Sequence, residues 1–154
     1  MKESLNVFIS YSHRDEEMKK ELEKFLITLK RSKDVSVWQD RELEGGLEYL
    51  QVILAELNQA DIILLLISQD FIASDFIYTH ELKTAMERHE NGTARVIPVI
   101  LRLCDWHNLV FGKLVALPRD GKPVAAFTDK DEAYTQIAKE INRVVAFMKQ
   151  PVNK

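Results

Sequence analysis

The run Ile62-Ile63-Leu64-Leu65-Leu66-Ile67 constrains the fold of this chain more than any other segment. Successive side chains of a strand point to opposite faces. A run that is apolar at every position therefore leaves neither face for water. It is far too short to span a membrane. It predicts a central strand of a parallel sheet covered by helices on both sides.

The flanking sequence supplies those helices and further strands. Val7-Phe8-Ile9 reads as a buried strand, followed by a helix from Asp15 to Lys30 with Met18, Leu22, Phe25, Leu26 and Leu29 on its apolar face. Val35-Ser36-Val37-Trp38 reads as a second strand. Gly45-Gly46 breaks the chain before a helix carrying Leu50, Ile53, Leu54 and Leu57. After the central run, Ser74-Asp75 caps a helix that buries Tyr78, Leu82, Ala85 and Met86 and stops at Asn91-Gly92. Val96 to Leu101 is a fourth strand, in which Pro98 requires a bulge or an unpaired edge. Val124-Ala125-Ala126-Phe127 reads as a fifth strand, and the segment from Cys104 to Lys122 as irregular. Thr128, with Asp129, Asp131 and Glu132, opens a last helix whose buried stripe is Tyr134, Ile137, Ala138, Ile141, Val145 and Met148.

Strands alternating with helices make an α/β fold. The expectation is a flavodoxin-like, doubly wound, five-stranded parallel sheet of order 2-1-3-4-5 with helices on both faces. In such a sheet ligands bind beyond the carboxyl ends of the strands where the strand order reverses. That rule points to the loop after Ile9 and the segment after Ile67.

Composition removes several functional classes. Of 154 residues, 21 are Lys or Arg and 24 are Asp or Glu, a net charge of −3 with no basic stripe for nucleic acid. Cys104 is the single cysteine, so no internal disulfide can form, and a cytoplasmic compartment is expected. Met1-Lys2-Glu3-Ser4-Leu5 runs directly into a strand without a signal-peptide pattern, and no run is long enough to cross a membrane. His13, His80, His89 and His107 lack metal-ligand spacing, so no metal is expected. A phosphoacceptor receiver of the same fold type would place paired acids after the first strand, where Ser10-Tyr11-Ser12 stands.

Four segments carry a family resemblance. They are Val7-Phe8-Ile9-Ser10-Tyr11-Ser12-His13-Arg14-Asp15, Trp38-Gln39-Asp40-Arg41-Glu42-Leu43-Glu44-Gly45-Gly46, the stretch Ser68 to Leu82, and Val96-Ile97-Pro98-Val99. Their order and spacing resemble Toll/interleukin-1 receptor (TIR) domains, bacterial members in particular. Residues 1–150 read as one such domain, and 151–154 as a tail or the start of a linker to a further domain.

The resemblance implies one of two functions. Some members of the family recruit other TIR domains, and others cleave NAD+ on self-assembly in prokaryotic defence signalling. NAD+ is then a substrate, not a resident cofactor, and the chain has no GxGxxG cradle. The position matching the family's catalytic Glu is Glu81. Breaking the nicotinamide–ribose bond develops oxocarbenium character, and a carboxylate that holds the ribose hydroxyls stabilises that charge. Ser10, Tyr11 and Ser12 either line the cleft or satisfy local backbone groups. Trp38 either stacks on a ring or packs in the core. Asp40 and Arg41 either contact ribose or phosphate, and Arg14 phosphate, or all three are loop charges exposed to water. Ile77 stands four residues before Glu81, where cyclising relatives carry Trp, which weighs against cyclisation more than against hydrolysis. Expected partners are NAD+, other TIR domains and a fused sensor.

Overall fold

The computed structural model describes residues 4–38 and 47–150, with Trp38 and residues 47–49 described in backbone only. Four strands form the sheet: β1 Leu5–Ser10, β2 Val35–Trp38, β3 Ile62–Ile67 and β4 Arg95–Ile100. Their order is β2-β1-β3-β4 and every pairing is parallel. The reversal of order between β1 and β3 is where the doubly wound pattern was expected to place it.

Each face of the sheet has its own core. Val7, Ile9, Ile62, Leu64, Leu66, Ile97 and Val99 face α1 (Glu16–Phe25), α2 (Ile27–Arg31) and the long α6 (Lys130–Met148). Phe8, Ile63, Leu65, Ile67, Val96 and Ile100 face α3 (Leu47–Gln59), a π-helical turn Ile77–Leu82 and α5 (Lys83–Glu90). All six side chains of β3 are fully buried. Each contributes roughly 1.5–3 kcal/mol relative to exposure, before the cost of ordering it.

The expected fifth strand is absent from the described residues. Val124–Ala126 is a 3-10 turn, and the outer edge of β4 is met instead by a single bridge from Leu117 to Val99. Leu117 donates to Pro98 O at 2.9 Å and accepts from Ile100 N at 2.7 Å. The next rung toward the start of β4 would need an N–H from residue 98. Proline has none, so pairing cannot spread, and Pro98 lies on the edge side as one of its two expected settings. Two alanines in Val124–Ala126 add little strand preference.

Helix boundaries also differ. The first helix is divided into a 3-10 turn His13–Asp15, α1 and α2, with the break at Leu26. α6 is capped by Asp129, which accepts from Asp131 N at 3.0 Å, not by Thr128. A short helix, α4 (Gln69–Ala73), precedes the π-helical turn. The turn rotates the expected face: Tyr78 is 42% exposed, while Ile77 and Leu82, five apart, are buried. Five residues is the repeat of π-type hydrogen bonding. Gly92, at φ 73°, ends α5 as its position in the sequence predicted.

Candidate functional site

β1 delivers Ser10 to the carboxyl edge of the sheet, opposite Leu65 of β3. Strand alternation puts it on the same face as Phe8, the face covered by α3, the π-helical turn and α5. Ser10 is 1% exposed, and its Oγ has no hydrogen-bond partner among the described residues. A buried hydroxyl in that state costs free energy and is available to a ligand group at the switch point.

Tyr11 takes the opposite face. It is buried with Leu22 and Tyr134, and Lys19 Nζ lies 4.9 Å from its ring centroid. Tyr11 and Ser10 are thus divided between the two faces of the sheet. Ser12 N-caps the 3-10 turn, its Oγ accepting from Arg14 N at 3.2 Å, which matches the second of the settings expected for it. Arg14 is exposed. Ile77 is buried in the π-helical turn. The side chain of Trp38, and Asp40 and Arg41 entirely, lie outside the described residues.

Glu81 stands in the π-helical turn and is 2% exposed. Acidic side chains are seldom so deeply buried without a partner or a task. The turn is preceded by α4, which begins at the carboxyl end of β3, where Ser68 N-caps it by accepting from Phe71 N at 3.1 Å. α4 packs against the π-helical turn, and the turn packs against α3. π-Turns interrupt α-helices rarely and often at functional positions.

A polar cluster not foreseen in the sequence lies at the same edge. Ser68 Oγ donates to Asp15 Oδ2 in a short hydrogen bond. Arg102, just beyond β4, donates through one Nη to Asp15 Oδ1 and to Asp70 Oδ2, both at 2.6 Å. The hydrogen bond to Asp70 and the charge of Asp15 hold the guanidinium above its ordinary pKa despite partial burial. Asp15 and Asp70 lie inside the motif segments, so local sequence flagged their neighbourhood. Arg102 has no local signal, because its partners are 87 and 32 residues away. Burial pushes the nearby Cys104 thiol up, away from the reactive thiolate.

The TIR-domain family model matches residues 7–141, from β1 into α6. The chain belongs to the TIR domain family. The match contains every candidate residue named above. This TIR domain is 52% identical over 136 residues to an uncharacterised protein, y4lF, of Sinorhizobium fredii (strain NBRC 101917 / NGR234). The match covers 88% of this chain and 42% of that protein, so the TIR domain spans less than half of its relative's length. A crystal structure of a prokaryotic SEFIR domain superposes with a TM-score of 0.57 at 22% identity, over 98% of this chain and 100% of that one. The likeness bears on the fold, and it supports the architecture described here. No described helix is long and apolar enough to cross a membrane.

Proposed function

We propose that this TIR domain hydrolyses NAD+ at the nicotinamide–ribose bond, with Glu81 as its catalytic carboxylate. The observation that carries the reading is a carboxylate, 2% exposed, held in the π-helical turn Ile77–Leu82 that follows β3 and α4. Departure of nicotinamide with the bonding electron pair leaves positive charge on the ribose C1′ and ring oxygen. Glu81 accepts hydrogen bonds from the ribose hydroxyls and stabilises that charge, most strongly where water is excluded. Water then adds at C1′ and releases a proton, giving ADP-ribose and nicotinamide. The buried Ser10 Oγ supplies a further polar contact from β1. Asp40, Arg41 and Trp38 stay proposed substrate contacts from the second strand and its loop, and Arg14 a phosphate contact. Ile77 in place of an aromatic ring gives a folded-back nucleotide nothing to stack on, which favours hydrolysis over cyclisation.

Assembly with other TIR domains is the second reading, and one observation favours it. Leu103, Val110 and Val115 are 87%, 60% and 83% exposed on the connection between β4 and α6. We read these exposed apolar side chains, all on one connection, as the contact surface of that assembly. A cytoplasmic defence role, and a sensor fused in the whole protein, belong to the same proposal.

Nicotinamide release from NAD+, followed across protein concentration, tests both readings. Glu81→Ala and Glu81→Gln are expected to lower kcat by about a hundredfold to ten-thousandfold. Turnover per chain that rises with concentration supports activation by assembly. Retained activity in the Glu81 variants overturns the assignment of the carboxylate. Concentration-dependent association with no turnover at any concentration leaves the interaction reading.

A further inference from the structure

The Asp15 cluster joins three parts of the chain at one point. Asp15 follows β1, Ser68 and Asp70 begin α4, and Arg102 leaves β4. We propose that this cluster is a clamp that fixes the Glu81-bearing turn, and that Asp15 is a positioning residue for the reaction proposed above; the inference rests on that reading for its catalytic part alone.

Hydrogen bonds run outward from Asp15 toward that turn. Its side chain is 1% exposed and both oxygens accept, one from Ser68 Oγ and one from Arg102. A carboxylate this far out of water is stable only with such partners. Ser68 passes the constraint on, since the same Oγ caps α4 through Phe71 N. α4 is a short helix and ends at Ser74. Ser74 Oγ accepts from Ile77 N at 3.3 Å, and Ser74 O accepts from Tyr78 N at 3.0 Å. Ile77 and Tyr78 open the turn that carries Glu81. Every link from Asp15 to that turn is therefore a hydrogen bond or a short helical element. Without the clamp, the first turn of α4 would keep its orphan N–H groups and little else to fix its direction.

The clamp is asymmetric. Its inner half, Asp15 with Ser68, is buried. Its outer half, Arg102 with Asp70, is 43% and 42% exposed in the side chains, where water and salt screen the pair. The inner acid is the one that matters for position.

Hydrogen exchange of the amides of residues 77–82 tests this, together with steady-state kinetics on the parent, Asp15→Asn, Asp70→Asn and an exposed control, Arg143→Ala. In Asp15→Asn, exchange in 77–82 is expected to quicken by roughly tenfold or more, the scale of a lost charge-assisted hydrogen bond. kcat is expected to fall by a similar factor while KM stays within about threefold, the pattern of a misplaced group and not of lost substrate binding. Asp70→Asn moves both readouts less, and Arg143→Ala moves neither. Ser68→Ala cuts the link to α4 but spares the ion pairs. It quickens the same amides, and it decides the matter if Asp15→Asn does not fold. Unchanged exchange in 77–82 overturns the clamp whether or not NAD+ is turned over. A uniform rise through the sheet amides also overturns it, because that is global destabilisation. Absence of turnover in the parent overturns the catalytic reading, and the exchange data then decide the clamp by themselves.

Discussion

Lys19 shows how a single residue escapes a pattern. On the helix it belongs with Leu22 and Leu26, three and seven positions on, and it shares their burial: it is 0% exposed. Its charge keeps it out of any apolar stripe drawn from the sequence. The structure accommodates the ammonium with Glu23 Oε1 at 2.9 Å and the face of Tyr11 at 4.9 Å. The two members of the ion pair are then unequal. Glu23→Ala withdraws this carboxylate from a buried cation and is expected to cost about 1–3 kcal/mol, below the range for a wholly buried pair because Glu23 keeps some water. Lys19→Met, of similar length, is expected to be neutral or stabilising. Urea unfolding of both variants checks the asymmetry, and an equal loss in both would show that the ion pair is net favourable.

At the scale of elements, Arg88 ties α5 to α3. One Nη donates to Leu57 O at 2.8 Å and Ala60 O at 2.5 Å, carbonyls at the end of α3, and the other donates to Thr93 O at 2.5 Å. α3 therefore ends on a guanidinium, with its negative pole satisfied by charge and hydrogen bonds together. Arg88→Ala is expected to lower stability by about 1.5–3 kcal/mol. Arg88→Lys is expected to recover less than half of that loss, since an ammonium cannot span these carbonyls as a planar fork does. Equal midpoints for the Lys variant and the parent in thermal unfolding would contradict this. The same scale explains the elements that depart from the local pattern. Local sequence reports periodicity, and the π-helical turn changes the period within one helix, so the α-helical spacing predicts Tyr78 inward and the turn leaves it exposed. α4 was signalled only by Ser68 before Asp70, a cap and an acid in a first turn. Val124–Ala126 had one strand-like residue at its start and no edge to join, because Pro98 had already closed it.

For the molecule as a whole, a phenol buried in one of the two cores ties stability to alkaline pH. Tyr134 sits in the core beneath α1 and α6, 4% exposed and stacked on Phe25 at 5.3 Å. Burial, with a smaller part from the charge of Glu21, pushes its phenol up to about 12. The folded-state pKa lies above the ordinary value of 10. The unfolded chain therefore ionises first as pH rises. The stabilisation is complete below pH 10 and is lost as pH passes toward about 12. A loss on the order of 1–3 kcal/mol over that window is expected. Urea midpoints measured up that range, with Tyr134→Phe as the comparison, check it. Tyr134→Phe should flatten the decline, and an identical decline in both proteins would place the titrating group elsewhere.

The sequence by itself determined the class of fold, the four parallel strands, the face of most helices, the family and the candidate carboxylate. The fold class, strands and helix faces depend on residue type at a fixed local spacing, and the family and its carboxylate on the resemblance of four motif segments, all of it written along the chain. Only the tertiary structure decided which hydroxyl of Ser10-Tyr11-Ser12 is buried on the Phe8 face of the sheet without a partner among the described residues, how the edge of β4 is closed, and that Asp15, Ser68, Asp70 and Arg102 meet. Those outcomes depend on which strand ends lie side by side. Parallel pairing through long crossovers brings together residues that no local pattern links, and the chemistry at the end of the sheet is assembled from them.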